Sequence, residues 1–171
     1  MAVSRGKDFE SEFKTALSQV PEISIDRFPD PSAGYAGIRN ICDFGVYLHP
    51  YQYYFECKAI RKNTLNFNSH ITEDQWNGLL DKSQNYGVCA GVCVWFIDHN
   101  VTVFVPIQQL HEMSLAGQKS LNVKQIINNE VQYVALPGRK KRVLFEYAGQ
   151  KFMDDLEQLG PDFYKEGGRS G

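Results

Sequence analysis

Apolar residues at Phe9, Phe13, Ala16, Leu17 and Val20 recur at helical spacing. This predicts a first helix from about Lys7 to Gln19, ended by Pro21. Ile23 to Phe28 then alternates as a short strand, and residues 29–37 (Pro29 to Gly37) are rich in breakers and read as a loop. From Ile41 the period becomes two. One parity gives Cys42, Phe44, Val46 and Leu48, then Tyr53, Phe55, Cys57 and Ala59. The other gives Asp43, Gly45 and Tyr47, then Gln52, Tyr54, Glu56 and Lys58. That is a β-hairpin with one oily and one polar face, turned at His49-Pro50. A two-residue loop sets Asp43 across from Glu56, and a four-residue loop sets it across from Lys58. Either keeps all three on the polar face.

Further along, Arg61-Lys62-Asn63-Thr64 leaves the hairpin as a basic loop. Thr72-Glu73-Asp74-Gln75 fits a capping box, and Trp76, Leu79 and Leu80 continue the helix to about Gln84. Val88 to Ile97 is almost continuously apolar, as in a strand buried on both faces. Val101 to Val105 is a further strand, and Pro106 introduces a helix from Ile107 to Met113. Beyond Ser114 the pattern predicts a short helix at Val123 to Asn128, strands at Val131 to Leu136 and Val143 to Tyr147 on either side of a basic turn, and a helix from about Gln150 to Leu159. Residues 167–171 (Gly167 to Gly171) read as a disordered tail. The expected whole is one α/β domain over residues 1–166.

Composition narrows what such a domain does. The 171 residues are 43% hydrophobic with a net charge of −2 and a pI of about 6.1. These values support one well-buried core and argue against coating nucleic acid through a broad basic field. Phosphate binding therefore falls to local patches, the clearest being Arg139-Lys140-Lys141-Arg142, whose plain alternative is a solvated turn. No cationic leader precedes an apolar run and no stretch nears the roughly 18 apolar residues of a membrane helix. The expectation is a cytoplasmic protein with reduced thiols. Cys42, Cys57, Cys89 and Cys93 lack C-x-x-C spacing, so buried free thiols are expected rather than a zinc site.

The polar parity of the hairpin is where chemistry concentrates. Two carboxylates held about 5 Å apart across a strand pair repel unless a cation lies between them. Mg²⁺ suits such a pair, because it takes oxygen ligands and is usually held by one or two carboxylates plus phosphate oxygens. Asp43 and Glu56 are thus candidate ligands, with the backbone carbonyl of Cys57 as a third. Lys58 sits two residues on, where an ammonium offsets charge developing on a phosphate. Glu10 and Glu12 border opposite edges of the first helix's apolar stripe, and the helical wheel does not choose between them. Gln75 has a capping role in any case, and His70 is free to be a surface residue. Arg27, Asp30 and Arg39, in or beside the 29–37 loop, are candidate substrate contacts, and Arg61 and Lys62 lie close to any phosphate held at the hairpin.

These elements resemble, in order, those of a known superfamily. A Glu-bearing first helix, Asp43, and then Glu56-Cys57-Lys58 are similar to the PD-(D/E)XK nucleases. The longer resemblance, over residues 6–113, is to the RecU-like Holliday junction resolvases, including phage-encoded forms. Gly6-Lys7-Asp8-Phe9-Glu10 is similar to their first helix, Cys42-Asp43-Phe44-Gly45 to the Asp strand, and Phe55-Glu56-Cys57-Lys58 to the Glu-x-Lys strand. Phe67, Ile71, Gln75 and Leu79 resemble the following helix, and Val94-Trp95-Phe96 and Phe104-Val105-Pro106 the next two strands.

The resemblance implies a restriction-endonuclease-like fold, a mixed central β-sheet flanked by helices. It implies Asp43 and Glu56 as metal ligands, Lys58 as the catalytic lysine, Glu10 in preference to Glu12 in a second-metal or water-mediated role, and Gln75 positioning phosphate or water. The implied activity is Mg²⁺- or Mn²⁺-dependent hydrolysis of DNA at four-way junctions by a homodimer. The alternatives are a nuclease of the same fold acting on linear, flapped or damaged DNA, and a silent DNA-binding relative. The short interval before Asp43 and the slightly acidic charge depart from the family's larger, stalked members.

Overall fold

The computed structural model describes residues 5–29, 40–141 and 144–166. Asp30, Arg39, Arg142, most of the loop expected at 29–37 and the tail expected at 167–171 lie outside them. The chain opens with α1 (Arg5–Ser18) and β1 (Ser24–Arg27) and continues into the hairpin β2 (Phe44–Leu48) and β3 (Tyr51–Ile60). It proceeds through β4 (Thr64–Asn66), α2 (Phe67–His70) and α3 (Glu73–Ser83) to β5 (Val88–Phe96) and β6 (Val101–Pro106). Then come α4 (Ile107–Leu115), β7 (Ser120–Asn122), α5 (Val123–Ile127), β8 (Val134–Ala135), β9 (Gly138–Lys141), β10 (Leu144–Tyr147) and α6 (Gly149–Glu166).

The central sheet has the order β1-β2-β3-β5-β6-β8, and only β3 and β5 run parallel. It is a mixed sheet flanked by helices, as expected. Parallel neighbours need a long crossover, and residues 61–87 supply it, carrying α2 and α3 over one face. α1 and α6 cover the other.

Each face carries its own core. On the α1 side, Phe9, Phe13, Phe44, Phe55, Phe104 and Phe152 are buried together. Phe13 and Phe55 meet edge to face at 5.3 Å, as do Phe55 and Phe104 at 5.5 Å, the geometry that aromatic quadrupoles favour. On the α3 side, Leu79, Val92, Val94, Val105 and Leu110 close a second cluster. The face read as polar in β3 is therefore covered by a helix rather than open to water, and this is what makes Glu56 unusual.

The basic run is placed differently from the turn expected. Gly138–Lys141 is a strand, and its antiparallel partner β10 sets Glu146 opposite Arg139, with 3.7 Å between guanidinium and carboxylate. A cross-strand anion lets like charges sit in extended backbone. The strand expected at Val131 to Leu136 shrinks to two residues, and the β4–β7 ribbon and α2 have no counterpart in the sequence reading.

Candidate functional site

Tyr47 pairs with Gln52 and Leu48 with Tyr51, so the hairpin loop has two residues. The ladder does not continue regularly to Asp43. Phe44 is the register partner of Phe55, yet the Asp43 N–H also donates to the Phe55 carbonyl at 3.1 Å. Two residues thus face one, as in a β-bulge, a device that re-aims a side chain. Asp43 Oδ2 consequently accepts the backbone N–H of Cys57 at 2.8 Å, standing in for a ladder carbonyl. The Phe28 N–H caps the Asp43 carbonyl at 2.8 Å from the β1 side.

Glu56 lies at the centre with 1% of its surface exposed. Its pKa is pushed up to about 9, chiefly by burial, then by the hydrogen-bonding and charge of neighbouring Asp43, against a lowering from Lys58 and a further rise from Glu10. Lys58 Nζ stands 3.6 Å from Glu56 Oε2 and is a quarter exposed. Gln75 Nε2 donates to the same Oε2 at 2.6 Å. The other end of the Gln75 amide accepts the Thr72 N–H at 3.0 Å, while Thr72 Oγ1 accepts the Gln75 N–H at 3.2 Å. The capping box and the contact with Glu56 are therefore one device: the turn that starts α3 aims the amide at the buried acid. Both ends of that amide are engaged within the protein, and its Nε2 contact orients Glu56 while leaving the second N–H of the amide to donate elsewhere.

Replacing Gln75 by Ala removes a reciprocal cap and a hydrogen bond to Glu56. A loss of about 1–2 kcal/mol is expected in urea denaturation.

The structure separates the two acids of α1. Glu10 is held by Arg27 at 2.5 Å, and its charge is felt at Glu56. Glu12 is buried, and its charge acts on Tyr147 instead. His70, read from sequence as a surface residue, proves half-buried. Its Nδ1 accepts the Asn66 N–H at 2.8 Å, and burial and the Lys58 charge lower its pKa. Since Nδ1 is the acceptor, the neutral ring carries its proton on Nε2. The only sequence signal for this placement is Asn66, which caps α2 by accepting from Asn68 and Ser69.

The remaining candidates are less central. Arg61 lies 3.8 Å from Asp98, and both are well exposed; Lys62 is exposed. Arg139 faces Glu146, and the backbone of Lys140 and Lys141 belongs to β9. All four cysteines are buried free thiols. Cys57 pairs in register with Cys93, and burial, Cys93 and the nearby carboxylates drive its thiol pKa upward. Cys42 is raised likewise by burial and by Glu56 and Asp43.

The donor set suits a hard divalent cation. Asp43 and Glu56 offer carboxylate oxygens, and the cysteines beside them are held as thiols, which leaves oxygen chemistry in charge. In a strand the N–H and C=O of one residue point to the same neighbour, so the Cys57 carbonyl turns toward the Asp43 side along with its N–H. Among the described residues no group of three or more His, Cys, Asp or Glu side chains is placed to hold a metal. A cation here would have two side-chain ligands and would depend on backbone, water and substrate oxygens for the rest.

The fold and site define a mixed α/β protein with a buried glutamate beside a half-buried aspartate, an adjoining lysine and a helix-borne amide. No family model matches the chain, and no curated protein matches it. Among solved structures it is similar to Archaeoglobus fulgidus Hjc, a Holliday junction resolvase from an archaeal hyperthermophile. The TM-score is 0.42 and the identity 18%, over 63% of this chain and 78% of that one. No helix among the described residues is long and apolar enough to cross a membrane.

Proposed function

We propose that the chain is a divalent-metal-dependent endodeoxyribonuclease of the PD-(D/E)XK type that cuts branched DNA, in the manner of the RecU-like resolvases its motifs resemble. The observation that carries the reading is Glu56: an acid 1% exposed, pushed up to about 9, beside a second carboxylate and an ammonium. Burying such a group costs stability unless a charge compensates it, and hydrolysis of a phosphodiester gives it a purpose.

Asp43 and Glu56 would hold Mg²⁺ or Mn²⁺, which when bound supplies Lewis acidity toward a phosphoryl oxygen and a more acidic water. The chain's own residues do the rest. Asp43 is fixed by the Cys57 N–H and Glu56 by Gln75, so both acids are oriented before substrate arrives. Lys58, partly exposed, presents its ammonium to the phosphate, where negative charge grows as the P–O bond breaks. Glu10, linked to Arg27, adds a negative charge at the margin and completes the acidic set. A four-way junction has near-twofold symmetry and needs two nicks, which a C₂ homodimer would deliver.

The test is cleavage of a synthetic four-way junction against linear duplex of the same sequence, in Mg²⁺, with and without chelator. The expected result is preferential nicking of the junction that chelation abolishes. Equal rates on both substrates would leave a general nuclease, and no cleavage of either would remove the enzymatic reading.

A further inference from the structure

A groove of about 400 Å³ runs along the outer side of α1, lined by Lys7, Glu10, Ser11, Lys14, Arg27 and Phe44. Two of its walls belong to the carboxylate centre. Phe44 follows Asp43 in the chain and pairs in register with Arg27, and Glu10 is the acid whose charge reaches Glu56. Lys7 and Lys14 are exposed and, being seven residues apart, lie on the same face of the helix. Their separation along the axis is about 10 Å. One DNA strand carries a phosphate every 3.4 Å or so of axial rise, so the two lysines span about three nucleotides.

We infer that the Lys7–Lys14 stripe of α1, with Arg27, binds the sugar-phosphate backbone of the DNA flanking the bond to be cut. The inference rests on the nuclease reading above and adds a path to it. With a net charge of −2, the protein as a whole does not attract DNA, so association must rely on a local track of cations. The basic run of β9 is an inferior candidate, because β9 belongs to the β9–β10 ribbon and not to the sheet that carries Glu56. The α1 stripe is joined to that sheet through Arg27 and Glu10. Arg27 is held by Glu10 at 2.5 Å, so an incoming phosphate would share a guanidinium that the acidic set already orients.

The salt dependence of kcat/KM for DNA cleavage in Mg²⁺ tests this. Each phosphate neutralised by a cation contributes about 0.9 to the slope of log affinity against log salt. Lys7→Gln/Lys14→Gln should therefore flatten the slope by about 1.8. Lys124→Gln/Lys151→Gln, which removes the same charge from α5 and α6, should leave it as in wild type. All four side chains are exposed, and thermal melts verify that each double variant folds. A slope equally steep in wild type and Lys7→Gln/Lys14→Gln, with wild type cutting normally, would overturn the track alone. An equal fall in both double variants would also overturn it, by reducing the effect to net charge. A wild type that cuts no DNA would overturn the nuclease reading together with the track.

Discussion

Asp43→Asn should abolish junction cleavage while junction binding is retained. The expected drop is at least about 10³-fold in single-turnover rate, or about 4 kcal/mol in the barrier. The side-chain oxygen of Asn is positioned to accept the Cys57 N–H just as Asp43 Oδ2 does at 2.8 Å, so the bulge and the strand end keep their geometry. What disappears is the negative charge, and with it half of the carboxylate pair that a divalent cation needs. An uncharged amide there also withdraws the Coulombic push that Asp43 exerts on Glu56, so the variant should fold at least as well as wild type. Rapid-quench cleavage of an end-labelled junction, run beside a gel-shift titration in chelator, checks both halves. Cleavage at the wild-type rate would sink the assigned centre, and loss of binding along with cleavage would mean that Asp43 shapes the DNA surface rather than the chemistry.

How far this centre can be read from sequence depends on the range of the interaction. The alternation through Asp43 to Lys58 is a local signal, and it gives the hairpin, its two-residue loop as one of two options, and the face that carries the acids. The bulge at Asp43 is not local in that sense, since it depends on Phe55 accepting from the Asp43 N–H and Phe28 donating to the Asp43 carbonyl. Burial of Glu56 is less visible still. A polar residue on a polar parity reads as solvated, and only the crossover between β3 and β5, by laying α3 across that face, makes it an interior acid. Gln75 was legible as a cap because a capping box is a four-residue pattern, while its second contact spans 19 positions.

The misreadings follow the same rule. Arg139-Lys140-Lys141 after Pro137-Gly138 carries every sign of a solvated turn, and the residue that makes it a strand, Glu146, lies across the ribbon. The contact of His70 with Asn66 is hidden from periodicity because α2 is one turn long and β4 pairs with β7 across more than fifty positions. Glu10 and Glu12, which the helical wheel leaves undecided, separate by burial and by neighbour: Arg27 and the Glu56 charge for the half-buried one, Tyr147 for the buried one.

Glu56→Gln should stabilise the protein in chelator, and increasingly so as pH rises. The sign follows from linkage: the folded pKa of about 9 exceeds the ordinary carboxyl value of 4.5, so the native state binds the proton more tightly than the unfolded chain. Stability from this group is therefore complete below about pH 4.5 and is lost as pH climbs toward 9. At pH 7 the accumulated cost is about 3 kcal/mol at most. Gln matches Glu in shape, still accepts from Gln75 Nε2, and does not titrate, so it escapes that loss. The variant should melt several degrees higher than wild type at pH 8 and nearly together with it at pH 5. Mg²⁺ or Mn²⁺ should then raise the wild-type Tm at pH 8, because a ligand that binds only the folded state stabilises it by mass action, and should leave Glu56→Gln almost unmoved. Melting curves at pH 5 and 8, with and without metal, give the four numbers required. A variant less stable than wild type at pH 8 in chelator would mean that the Lys58–Glu56 pair outweighs burial, and the buried acid would then hold the fold together instead of awaiting a cation.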